Sequence, residues 1–203
     1  MRAPWTGQAR TRRPSVPLLA LCVLLLAGAL RPDELRTKAA VDLVFRTNRY
    51  IFRFRPVDYV TPPGVSRIDA LVGRNFGSLN VYLYGKINSR GQTYLGTRLD
   101  YTFTAIDRRM QANVQVRGFL GLNSDSAEHF YFITNIHYAM GENRVFRPGI
   151  MEYGIKAAGG DAVMYLGPAL TVKPSSLWSL RLSYGYDVLD SGQLLYLKLY
   201  FYL

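Results

Sequence analysis

Two histidines and a scatter of carboxylates are the residues of this chain best able to move protons. His137, in the stretch IHYAMGEN, faces Glu152 if the runs flanking residues 141–148 zip into a hairpin. An imidazole oriented by a carboxylate is half of a nucleophilic site. The other half is missing from that strand, because the position two beyond His137 is Ala139. Ser179 and Ser183 share the polar face of a later run, and nothing in the sequence brings them to His137. His129 and His137 lie eight apart on one strand face, roughly 26 Å at ~3.3 Å per residue, too far to share a metal. Asp100 and Asp187 read as structural counter-ions, not as a hydrolytic pair. A hairpin centred on Asp107-Arg108-Arg109-Met110 sets Asp100 against Arg117. AAGG at 157–160 reads as a hairpin turn, not a phosphate loop.

The elements that position these groups are strands. Turn-forming clusters recur at short intervals, as NFG (75–77), NSRG (88–91), DRR (107–109), NSDS (123–126), GENRVFRP (141–148), AGG (158–160), KPSS (173–176) and DSG (190–192). Between them, apolar and polar residues alternate with period two, the signature of a strand with two unlike faces. In 92–106, Leu95, Leu99, Tyr101 and Phe103 oppose Gly96, Arg98, Asp100 and Thr102; in 177–188, Trp178, Leu180, Leu182, Tyr184 and Tyr186 oppose Ser179, Arg181, Ser183 and Asp187. The last run, SGQLLYLKLYFYL, sets Leu195, Leu197, Leu199, Phe201 and Leu203 against Tyr196, Lys198, Tyr200 and Tyr202. Ten runs result: 41–54, 66–74, 78–87, 92–106, 110–122, 127–140, 149–157, 161–173, 177–188 and 193–203. The first alternates only in patches, which predicts a bulge there; merging or omitting irregular runs would give eight, and an even number is the firmer expectation.

The 203 residues are 49% hydrophobic and 19% charged, which excludes a disordered chain. Residues 14–30, PSVPLLALCVLLLAGAL, follow Arg2, Arg10, Arg12 and Arg13 and end near Ala27-Gly28-Ala29, the layout of a secretory signal peptide over 1–29. Their apolar core is short of the ~20 residues a spanning helix needs. Removing those four arginines from the 25 Lys and Arg leaves 21 against 14 Asp and Glu, spread along the chain, so nucleic acid is not an expected partner. The single cysteine, Cys22, lies inside the leader, so neither disulfides nor thiolate chemistry enter the remainder.

Composition of the polar face decides which way the apolar face points. A soluble lipocalin-like barrel or a sandwich would turn its apolar face inward and carry many Lys and Glu outside. Here the polar face carries Gly96, Thr102, Thr104, Gly121, Ser183 and isolated charges that pair across hairpins, which suits a confined lumen. The aliphatic face has Tyr101, Tyr138, Trp178 and Tyr186 near strand ends, as a lipid-facing girdle requires.

In this architecture and in its terminal strand, residues 41–203 resemble the bacterial outer-membrane β-barrel proteins. The resemblance implies an antiparallel up-and-down transmembrane β-barrel of about 10 strands (8 possible), a short periplasmic segment at 30–40, export by the general secretion route and folding by the barrel assembly machinery. It also implies a periplasmic location for both ends, which puts 55–65, 88–91, 123–126, 158–160 and 190–192 on the outer side. Outer-membrane lipid and lipopolysaccharide are the expected partners, with Arg46, Arg49, Arg53 and Arg55 as a basic stripe for phosphates or an anion path. The lumenal candidates are Arg98, Asp100, Arg117, His137, Glu152, Lys156, Arg181, Asp187 and Lys198. The expected function is a small pore or a structural or adhesive membrane protein, without catalytic, cofactor or metal site. Two alternatives stand beside it. A lipid-modifying barrel enzyme resembling the lipid A deacylases would lack here the serine that those enzymes place two residues from the histidine. A soluble periplasmic lipocalin-like carrier would need no detergent.

Overall fold

The computed structural model describes residues 35–61, 64–124 and 126–203, so the leader expected over 1–29 lies outside the described residues. The described residues form eleven strands: β1 (Leu35–Arg46), β2 (Tyr50–Thr61), β3 (Val65–Phe76), β4 (Leu79–Asn88), β5 (Thr93–Ala105), β6 (Met110–Gly121), β7 (His129–Tyr138), β8 (Phe146–Ala157), β9 (Ala162–Val172), β10 (Trp178–Asp187) and β11 (Gln193–Tyr202). Each pairs with its sequence neighbour antiparallel, and β1 closes the ring by pairing with β11 in parallel, Ala39 beside Leu197 and Leu43 beside Phe201.

The count corrects the expectation of ten or eight strands. The irregular run at 41–54 is not one bulged strand but parts of two, split by a turn at Thr47-Asn48-Arg49 in which the Thr47 amide and Tyr50 carbonyl are 2.9 Å apart and Thr47 Oγ1 accepts from the Tyr50 amide at 3.0 Å. β1 begins at Leu35, inside the segment expected to precede the barrel. Residues 55–61, expected as an exposed loop, belong to β2; the ladder slips between Arg55 and Asp58, where Pro56 has no amide to offer. A second slip lies between Val41 and Leu43. With an odd count, Leu35 and Leu203, the first and last described residues, lie at opposite ends of the barrel, against the expectation of a barrel that starts and ends on one side.

Alternation is strict enough to sort side chains into two populations. Outward stand Phe52, Phe54, Ile68, Val72, Leu83, Ile87, Leu95 and Leu99, all exposed, with Tyr101, Tyr138, Trp178 and Tyr186 near the rims. Inward stand Asp42, Arg55, Asp69, Arg98, Asp100, Arg117 and Lys198, all buried. This inverts the polarity of a water-soluble protein, which buries its apolar side chains and leaves charges outside. Between the inward charges, rings fill the interior: Tyr82, Tyr84, Tyr94, Phe119, Tyr131, Tyr153, Tyr165 and Tyr196 are buried there. Gly73 makes room for one of them, since a Cβ at that position would strike the Tyr82 ring and lie 2.6 Å from the Val81 carbonyl oxygen.

Candidate functional site

The interior divides into three zones along the barrel axis. At mid-height Arg55 is wholly enclosed and touches three carboxylates: Nε donates to Asp42 at 2.6 Å, Nη1 to Asp69 at 2.8 Å and to Asp58 at 3.2 Å. β1, β2 and β3 present these groups at facing positions, and the bulge in β2 lets both Arg55 and Asp58 face inward. Lys198 on β11 reaches Asp42 at 3.0 Å, Arg53 reaches it at 3.7 Å, and Lys38 stands 3.6 Å from Asp58. The Tyr84 hydroxyl donates to Asp69. Buried charges are tolerated when they are paired and hydrogen-bonded; each carboxylate of this knot has a cationic partner, while Asp58 Oδ1, Asp69 Oδ1 and Arg53 Nε find no hydrogen-bond partner among the described residues.

Toward the mouth where β1 starts, Lys86 sits in an aromatic box. Its ammonium lies 4.1 Å from the ring centre of Tyr94, 4.4 Å from Phe119 and 5.6 Å from Tyr131, and 2.6 Å from His129 Nε2. Rings and knot together crowd this half of the lumen. A small space beside Lys38, Asp58, Arg67 and Lys86 measures only about 10 Å³, at the lower limit for a single water.

Toward the other mouth, where β11 ends, the lumen is hollow. An outer chamber of about 450 Å³ opens beside Lys173 and Ser176 of the β9–β10 connection and holds His137, Ser179 and Arg181 in its wall. An inner chamber of about 160 Å³ continues it past Arg53, Arg98 and Asp100. Just past β9, burial and the neighbouring Arg147 and Arg46 guanidinium groups lower the Lys173 ammonium below its ordinary range.

Seven of the nine lumenal candidates face the interior: Arg98, Asp100, Arg117, His137, Arg181, Asp187 and Lys198. Their partners differ from the expected ones. Arg98 and Arg117 oppose each other, and Asp100 opposes Gln115, so the expected Asp100–Arg117 pair does not form. Asp100 instead accepts from Arg98 Nε at 2.7 Å and from Gln115 Nε2 at 2.7 Å, and Arg117 donates to Gln115 Oε1 at 2.9 Å. Asp187 accepts from the amides of Met164 and Leu189, both at 3.1 Å, and pins the β10–β11 turn.

Glu152 and Lys156 require correction. β8 turns Met151 and Tyr153 inward, which forces Glu152 and Lys156 to the outer face. Glu152 opposes Thr134 and Leu166, three positions away from His137 in register, because His137 pairs with Gly149. Lys156 Nζ donates to the Gly160 carbonyl at 2.6 Å outside the barrel. His137 Nε2 lies 3.0 Å from Gln111 Oε1, and Ser179 Oγ lies 3.2 Å from the Tyr202 hydroxyl. Among the described residues, His137 therefore has no carboxylate orienter, and Ser179 shares its chamber without bonding to it. Sequence reasoning missed the Arg55 knot, since the bulge that admits Asp58 has no period-two signature, and missed Lys86, whose aromatic neighbours come from three other strands. Among the described residues, no three His, Cys, Asp or Glu side chains gather as a metal site.

No protein-family model, curated protein or solved structure matches this chain. What the fold and interior define is a closed all-β barrel with an apolar outer face and a charged, partly filled lumen.

Proposed function

We propose that this chain is a transmembrane β-barrel of a bacterial outer membrane, with its lumen closed across one half, and that it serves a structural or adhesive role without catalysing a reaction. The observation that carries this reading is the inverted polarity. Phe52, Phe54, Leu83 and Leu95 stand outside while Arg55, Asp42 and Asp69 are enclosed. Lipid accepts the first set, and closure leaves no strand edge to satisfy. Strands of 10 to 13 residues match the ~9–11 that cross a bilayer at a tilt. The Arg55 knot and the surrounding rings favour a closed barrel over the small pore that alternation alone would allow. A soluble carrier would leave large apolar side chains in water on every strand.

The test is fractionation of expressing cells, followed by electrophoresis of the detergent-extracted protein with and without boiling. Recovery with the outer membrane, a heat-dependent mobility shift, and no conductance steps in planar bilayers are the expected results. Recovery from the soluble periplasm would sink the membrane reading, and steady unit conductance would sink the closed lumen.

A further inference from the structure

At mid-height the interior arginine is matched by carboxylates; in the hollow half the balance is different. The outer chamber carries four cations, Arg46, Arg147, Lys173 and Arg181, and, among the described residues, no carboxylate in its wall. Arg181 donates only to neutral oxygens, Thr171 Oγ1 at 3.1 Å and Asn135 Oδ1 at 2.9 Å. Arg147 Nε donates to the Arg144 carbonyl at 3.3 Å. In the inner chamber Arg53 lies 3.7 Å from Asp42 and Arg98 is held by Asp100, yet Arg53 Nε and Arg98 Nη1 have no hydrogen-bond partner among the described residues, although the two residues are only 8% and 2% exposed. Donor N–H groups held out of water without acceptors are costly, and an anion entering from the mouth would offer them oxygens.

The remaining wall narrows the class of anion. Guanidinium groups match phosphate oxygens in fork geometry. Gln111, Asn113, Ser176 and Ser179 add amide and hydroxyl groups, and the parallel rings of Tyr200 and Tyr202, 6.2 Å apart at 6°, add a flat aromatic surface. We infer that the chamber at the β11 end binds a phosphate monoester of a small sugar, its phosphate held by Arg46, Arg147 and Arg181 and its hydroxyls by the amide and hydroxyl wall. Such a group can be a free sugar phosphate or the phosphorylated sugar of a glycolipid. The inference depends on the barrel interior alone and stands apart from the membrane reading.

The experiment is calorimetric titration of the full chain in neutral detergent with glucose 6-phosphate, inorganic phosphate, glucose and a dispersed monophosphorylated glycolipid. Folding is checked on the same sample by its unboiled gel mobility, and the titration is repeated without detergent if the protein proves soluble. Glucose 6-phosphate or the glycolipid should bind at least tenfold more tightly than inorganic phosphate or glucose, and more weakly as salt rises. Arg181→Gln should weaken that binding at least tenfold. Lys173→Gln, which lies outside the strands, should weaken it severalfold and keeps the test informative if Arg181→Gln does not fold. Binding of the glycolipid alone would assign the ligand to the membrane; binding of both probes would assign the free sugar phosphate as sufficient. No binding of either phosphorylated probe, inorganic phosphate or glucose binding as tightly, or unchanged binding in both variants would overturn the proposal.

Discussion

Arg55 is the side chain on which the filled half of the barrel depends, because three aspartates converge on its guanidinium group. Arg55→Met would leave Asp69 with a tyrosine hydroxyl and Asp58 with a lysine 3.6 Å away. Breaking a buried ion network by removing one partner costs about 3–5 kcal/mol. Chemical unfolding in detergent should show a loss of that order, and a loss under about 1 kcal/mol would mean that the knot is effectively solvated. Glu152 makes the opposite prediction. Its carboxylate stands on an outer wall between Thr134 and Leu166, where lipid would penalise it, so Glu152→Leu should raise stability in bilayers by on the order of 1 kcal/mol. A destabilised variant would argue that water wets this face. Lys173 gives a pH dependence. Its folded ammonium is lowered by burial, Arg147 and Arg46, while the unfolded chain holds the proton up to the ordinary 10.5. The unfolded state therefore binds more protons between the lowered value and 10.5, and stability rises with pH across that interval. Unfolding midpoints of wild type should gain on those of Lys173→Gln as pH climbs toward 10.5, and parallel curves would contradict the assignment.

At the scale of the strand, alternation was legible and register was not. The faces of β5, β10 and β11 follow from period two alone, since each inward position meets a crowded polar interior and each outward one does not. Register depends on turns, and turn geometry was invisible. Ile106 accepts from the Arg109 amide at 2.8 Å, with Asp107 and Arg108 at φ 50° and 62°, a tight hairpin turn normally filled by Asn-Gly. It pairs Ala105 with Met110 and moves Arg117 two positions away from Asp100. The connection after β7 slips the expected pairing by three, and an odd slip exchanges faces, which is why Glu152 and Lys156 were misplaced. The Thr47-Asn48-Arg49 turn carries no Gly or Pro, so the first hairpin read as one strand. The candidate site was legible as single interior residues but not as a chamber, because its walls come from strands far apart in the chain. The closing seam is directly testable. In a Cys22→Ser background, Ala39→Cys with Leu197→Cys should form an intramolecular disulfide under mild oxidation, whereas Ala39→Cys with Leu83→Cys should not. Failure of the first pair, with the barrel otherwise folded, would contradict the parallel closure.

Across the whole barrel, two consequences follow from an odd strand number and an inverted polarity. Leu35 and Leu203 lie at opposite mouths, so in the Cys22→Ser background a membrane-impermeant thiol reagent should label Arg36→Cys or Leu203→Cys in intact cells, but not both. Equal labelling of the two would point to an even number of crossings. The polarity is the central claim, and its most direct test is site-directed spin labelling along β11 in reconstituted vesicles. Labels at 195, 197 and 199 should show high accessibility to oxygen and low accessibility to a polar nickel reagent, while labels at 196 and 198 should be poorly accessible to oxygen. If the odd positions are instead reached by the polar reagent, or if the alternation is absent, the apolar face does not meet lipid and the account fails.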